Sequence, residues 1–293
     1  YGMRHHVRIL ERTEFKKELP SFFEAMDQPT IDGLNTYFVS KAAKEIGLKV
    51  ALSGLGADEL FGGYPSFVKV PHYMRTFSAM SKIPFLGEGW KLSYPLLSFF
   101  YPKLHPKFSG LVRYGSNYES AYFLHRGLFL PWELTGILDR EFLNDGLVRL
   151  NLNARLKKEM IFSDRKTAAA SLMALESSFY MRNQLLRDTD WAAMTHSLEV
   201  RTPFVDSYLL REIAPYLVSD DSPNKKALLA HSPKIPLPKK VVDHKKTGFA
   251  VPIEQWLSDD PGLDDWRKIP SLRKNSCPWA RRWAYTVYQR MTA

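Results

Sequence analysis

Between Thr13 and about Met26 the apolar positions recur at helical spacing, behind a short strand-like stretch from His6 to Leu10. Thr13 is the expected cap, with Glu14 beside it. A second helix is predicted over 33–46, where Leu34, Phe38, Ala42 and Ile46 share a face. Asp32 serves as its N-cap and Gly47 as the residue that ends it. Lys49-Val50-Ala51-Leu52 then reads as a buried strand opening into a glycine-rich turn and a further helix. Strand, helix, strand, helix is the order of a parallel sheet with covering helices.

From about residue 70 the strand-like alternation largely disappears. Helical periods take over, notably Thr167 to about Arg187 and Asp206 to Leu217. A proline- and lysine-rich connection, Pro233 to Pro252, precedes a last helix over 278–291. The most apolar run, around Tyr94 to Pro102, reads as buried helix or loop and is far shorter than a membrane span. The expected organisation is an α/β part over residues 1–70 and a mostly helical remainder over 71–293.

Composition narrows the class. Of 293 residues, 45% are hydrophobic and 25% charged, a balance that supports a packed core and excludes a disordered chain. Cys277 is the only cysteine, so no internal disulfide forms. Its polar Asn275-Ser276-Cys277-Pro278 setting reads as an inert thiol in a reducing, cytoplasmic protein. The net charge of +10 favours anionic partners. Residues 1–70 are balanced, with nine basic and nine acidic side chains, so the surplus lies downstream. It is densest at Lys225, Lys226, Lys234, Lys239, Lys240, Lys245 and Lys246, with only Asp243 against them. These lysines sit among prolines without interleaved aromatics, which argues against nucleic acid as the partner.

The candidate chemistry begins at Ser53-Gly54-Leu55-Gly56-Ala57-Asp58-Glu59-Leu60-Phe61-Gly62-Gly63-Tyr64, where a strand ends and open α/β sheets place ligands. Gly54 and Gly56 let backbone N–H groups approach a phosphate, and the next helix directs its positive end there. Asp58 stands where a carboxylate can hold magnesium. Read alone, the turn is better taken as an ordinary glycine turn, with Asp58 and Glu59 complementing a helix dipole.

The full string resembles the ligase domain of glutamine-hydrolysing asparagine synthases. Three further stretches agree in order: Asp27-Gln28-Pro29-Thr30, Leu185 through Asp206 (LLRDTDWAAMTHSLEVRTPFVD), and Lys246-Thr247-Gly248-Phe249 with Val251-Pro252 and Gln255-Trp256-Leu257. The resemblance spans most of residues 5 to 260. It implies a partial PP-loop ATPase sheet of the adenine-nucleotide α-hydrolase type, followed by a large helical part. It also implies a two-step reaction in which aspartate attacks ATP to give an aspartyl-adenylate and pyrophosphate, and ammonia then displaces AMP. By motif, Ser53, Gly54 and Gly56 would contact ATP, Asp58 would bind Mg2+, and Lys246 would neutralise pyrophosphate. Leu55, Glu59, Asp190, Glu199 and Arg201 are the substrate-side candidates. Glu199 and Arg201 also read as a structural ion pair, and Asp190 as a turn cap.

Three departures qualify the resemblance. The family's serine–glycine–glycine–x–aspartate–serine phosphate loop does not occur, and it is expected upstream of Tyr1. Ammonia is expected from a glutaminase domain outside this chain, so the isolated chain should fold yet be nearly inactive. Leu55 replaces the family's usual glutamate, which opens a second reading: a ligase of the same fold, such as a β-lactam synthetase, with another acyl substrate. No membrane contact is expected, and a homodimer stays open.

Overall fold

The computed structural model describes residues 2, 4–160, 167–218, 225–244 and 252–292. Helix α1 (Arg12–Ala25) buries Phe15, Leu19 and Phe22. Its N-cap is Glu11 rather than Thr13, and no side chain closes the cap. The stretch over 6–10 forms no strand. Arg8 instead holds it across two elements, pairing with Glu14 at 2.7 Å and Glu45 at 2.8 Å.

Helix α2 (Gly33–Glu45) starts after Asp32, but the Asp32 side chain makes no cap bond. The Thr30 hydroxyl accepts from the Gly33 N–H at 2.8 Å in its place. A Cβ at Gly33 would lie 2.6 Å from the Trp191 ring, so the absent side chain lets the helix start press onto a distant segment. Gly47 ends the helix at φ +83°, in the left-handed region that glycine enters at little cost.

Strand β1 (Val50–Leu52) leads through the turn into α3 (Ala57–Leu60), one turn long, and then α4 (Ser66–Phe77). Helix α5 (Leu86–Phe100) corrects the expectation for the Tyr94–Pro102 run. It is helical but exposed, with Phe99 at 77% and Leu96, Phe100 and Tyr101 also in solvent. Helices α6 (Tyr118–Arg126) and α7 (Ala168–Leu175) follow, the latter capped by the Thr167 hydroxyl. The single helix expected from Thr167 to Arg187 continues beyond α7 as a π-helical segment, Glu176–Leu185, and then α8 (Leu186–Met194). The Leu186 N–H reaches back five residues to the Met181 carbonyl, the wide spacing that defines this form.

Strand β2 (Glu199–Arg201) was not foreseen: three residues with one apolar side chain are too short a run to establish a period. It runs parallel to β1 in the register Val50↔Glu199, Ala51↔Val200, Leu52↔Arg201. Among the described residues the sheet has these two strands. β1 is not the buried strand expected: Leu52 is 76% exposed and Val50 also faces solvent. Helix α9 (Ser207–Leu217) begins where Asp206 accepts from the Leu209 N–H at 2.9 Å, α10 (Lys226–His231) follows, and α11 (Trp279–Thr292) closes the chain. The molecule is thus a mostly helical α/β protein with a small parallel sheet.

Apolar side chains gather in two cores. One gathers α1, α2, α8 and α11 around Phe22, whose ring lies 5.5 Å from Trp191 and 6.1 Å from Trp283. The other joins α3, α4, α6 and α7 through Leu60, Phe67, Tyr122 and Leu172.

Candidate functional site

Parallel pairing brings the ends of β1 and β2 together, and the turn after β1 starts there. The Ser53 N–H donates to the Arg201 carbonyl at 2.8 Å, and the Leu55 N–H donates to the Ser53 hydroxyl at 3.2 Å. Gly54 is exposed, with open space where a Cβ would stand. Gly56 differs. It is buried at φ +96°, and a Cβ would meet the Phe204 backbone at 3.1 Å and the Val205 side chain at 3.0 Å. The first glycine leaves main chain open to a ligand, while the second lets the segment after β2 close over the turn. The following helix, α3, is a single turn, so its dipole contributes less than a full helix start.

An open depression of about 430 Å³ lies at these strand ends, lined by Leu52, Arg201, Thr202, Pro203, Val205 and Asp206. Arg201 pairs with Glu199 at 2.8 Å, both on one exposed face of β2. Such a solvated pair contributes little stability. Leu55 is half-buried on the turn, and Asp190 is exposed on α8.

Asp58 and Glu59 part company. The Asp58 carboxylate forms an ion pair with Lys226, carried by α10 from far along the chain. A Cβ at Gly63 would fall on both partners, so that glycine makes room for the pair. Glu59 turns inward and is 1% exposed, accepting from the Tyr64 hydroxyl at 2.9 Å. Its second oxygen has no partner among the described residues, and burial pushes its carboxyl above the usual range. Lys246, expected to close over the phosphates, lies outside the described residues. Among the described residues no cluster of three metal-ligating side chains occurs, and the carboxylate expected to hold magnesium faces an ammonium group. The described residues do not make a divalent-metal site.

A second cavity, about 480 Å³, opens between the segment before α2, α6, the π-helical segment and α11. Tyr180 and Gln184, four residues apart on the wide helix, both donate to one Asp32 oxygen, at 2.7 and 3.2 Å. Arg126 stacks between the Tyr180 and Tyr64 rings, 3.8 and 4.5 Å from their centres, and pairs with the fully buried Glu176 at 2.8 Å. Sequence reading missed Asp32 in this role, as well as Asp188. The latter is 1% exposed and accepts from Thr30 at 2.5 Å and Trp191 at 3.2 Å. Its signal was an acidic residue on the apolar side of a helix.

Comparison with known proteins identifies the family of the sequence. The family model described as Asparagine synthase matches residues 1–273. Asparagine synthetase [glutamine-hydrolyzing] 1 of Bacillus subtilis is 27% identical over 269 residues, covering 90% of this chain and 40% of that protein. A putative asparagine synthetase [glutamine-hydrolyzing] of Mycobacterium tuberculosis H37Rv is 28% identical over 260 residues, covering 87% and 38%. Over 67 residues, 22% of this chain and 12% of the relative, a putative synthetase of Methanocaldococcus jannaschii reaches 41%. The chain therefore spans about 40% of the length of the first two relatives. No solved structure matches.

Proposed function

The chain belongs to the asparagine synthase family, and from that premise we propose that it forms the synthetase part of an ATP-dependent, amide-forming ligase. The observation that carries this reading is the Asp58–Lys226 pair beside the Ser53–Gly56 turn, at the C-terminal ends of two parallel strands. The sheet is read as part of a PP-loop-like nucleotide fold. In the proposed chemistry a carboxylate attacks the α-phosphorus of ATP, releasing pyrophosphate, and ammonia displaces AMP from the acyl-adenylate. Main-chain N–H groups at Ser53 and Gly54 would receive phosphate oxygens. Lys226 would offset the charge that gathers on the departing pyrophosphate, a task that suits a point charge on a flexible stem.

Aspartate is the proposed acyl substrate, after the names of the relatives, with ammonia arriving from a glutaminase domain. The 480 Å³ cavity, whose wall carries Asp32, Tyr180 and Gln184, has room for an amino-acid substrate. Magnesium accompanies ATP in most such chemistry, but no step here is assigned to it.

The test uses the natural polypeptide containing this chain. Pyrophosphate and AMP release are followed with ATP, ammonia and a panel of carboxylates. Aspartate-dependent release with asparagine as product is expected. Release that answers to a different carboxylate would remove aspartate, and no carboxylate-dependent release would remove the ligase reading.

A further inference from the structure

A third cavity, about 410 Å³, lies between α4, the segment over 104–111 and the end of α6. Its polar wall is made of Lys69, Tyr73, His105, Lys107 and His125, over an apolar floor that includes Phe108 and Leu124. None of the residues lining it is acidic. The nearby carboxylate is committed elsewhere: Glu133 grips Arg281 at 2.6 and 3.0 Å and accepts from the Leu130 N–H at 2.7 Å.

The polar groups are oriented. Lys107 donates through its ammonium to the His125 carbonyl. Its N–H donates to His105 Nδ1 at 3.2 Å, which leaves the neutral ring's proton on Nε2. Burial and the nearby Arg281 hold the Lys107 ammonium down to about 8. Burial, with Lys107, Arg126 and Lys69, holds His125 down to about 3, so that ring is neutral at ordinary pH. A structural bond to one carbonyl needs only an uncharged donor. A half-buried ammonium whose nearby carboxylate, Glu133, is already paired with Arg281 is a costly way to make it. An anion in the cavity offsets that cost.

We propose that this cavity binds a small organic anion, a carboxylate or phosphate monoester with an apolar body. Lys69, His105 and Lys107 hold its head, and the floor at Phe108 and Leu124 holds its body. The proposal is separate from the ligase reading, since its readout is equilibrium binding and not turnover.

Calorimetric titration of the full protein with phenyl phosphate, benzoate and benzylamine tests it. One saturable site per chain is expected for one or both anions and none for benzylamine, and the tighter anion identifies the head group. Lys69 is exposed, so Lys69→Met should leave the melting temperature unchanged while weakening the anion about tenfold. Lys107→Met should do the same where it folds. Lys226→Met, at the strand ends, should leave this affinity intact. Absence of saturable anion binding, equal binding of benzylamine, or an affinity untouched by Lys69→Met would overturn the proposal.

Discussion

At the scale of single residues, the candidate site turns on two carboxylates that are neighbours in sequence and opposites in setting. Asp58 stays at the surface against Lys226, while Glu59 is sealed behind Tyr64. The position of Asp58 was legible because a whole string of glycines and acids surrounds it. Its partner was not, because Lys226 sits in a run of lysines that all read alike. Lys226→Met is expected to lower the rate of pyrophosphate release at least tenfold, as loss of one charge-assisted contact to phosphate implies. Steady-state kinetics on the natural polypeptide check it, and a rate within twofold of wild type would reassign the lysine to structure. Asp188 gives a pH prediction. Burial holds its carboxyl above the ordinary 3.8, against bonds from Thr30, Gln28 and Trp191 that favour the charge. A carboxyl raised in the folded state contributes stability below its unfolded value and loses it as pH rises through the raised one. Asp188→Asn keeps an acceptor for Thr30 and removes that loss. Urea midpoints measured from about pH 4 to about pH 7 should therefore fall less in the variant than in wild type.

At the scale of elements, the last helix secures the first ones. Trp283 of α11 is fully buried, stacks on Phe23 with centres 5.9 Å apart, and donates from its indole to the Thr30 carbonyl at 3.0 Å. Trp283→Ala is expected to cost about 3–5 kcal/mol by urea denaturation, with Trp283→Phe costing less. Helices α9 and α11 were legible, since Asp206 is a strong cap and their apolar spacing is regular. Two elements were not. β2 is too short and too charged to show a period, and only its partner 150 or so residues earlier makes it a strand. The π-helical segment has a period close to that of an α-helix, so its sequence looks unremarkable. Its widened turns appear only through what they align, Tyr180 and Gln184 upon Asp32.

At the scale of the whole molecule, apolar surface is unevenly shared. Leu96 and Phe99 on α5 lie in solvent, as do Phe85 at its start and Phe100 and Tyr101 at its end. Replacing Leu96 and Phe99 by glutamate should change stability by no more than about 0.5 kcal/mol each, because neither is packed. It should also reduce concentration-dependent light scattering; undiminished scattering would show that association runs through another surface. The membership of a family was legible from four ordered blocks, whereas the distribution of exposed surface was not, because burial depends on neighbours that no local pattern names. The pairing of β1 with β2 carries a consequence in time. On the ribosome, at roughly 5–20 residues per second, the first strand emerges on the order of ten seconds before the second exists. Until then the turn after β1 lacks the Arg201 carbonyl that holds Ser53. A nascent chain carries that turn unanchored for the interval, and a chaperone that holds the segment during synthesis should raise the yield of folded protein.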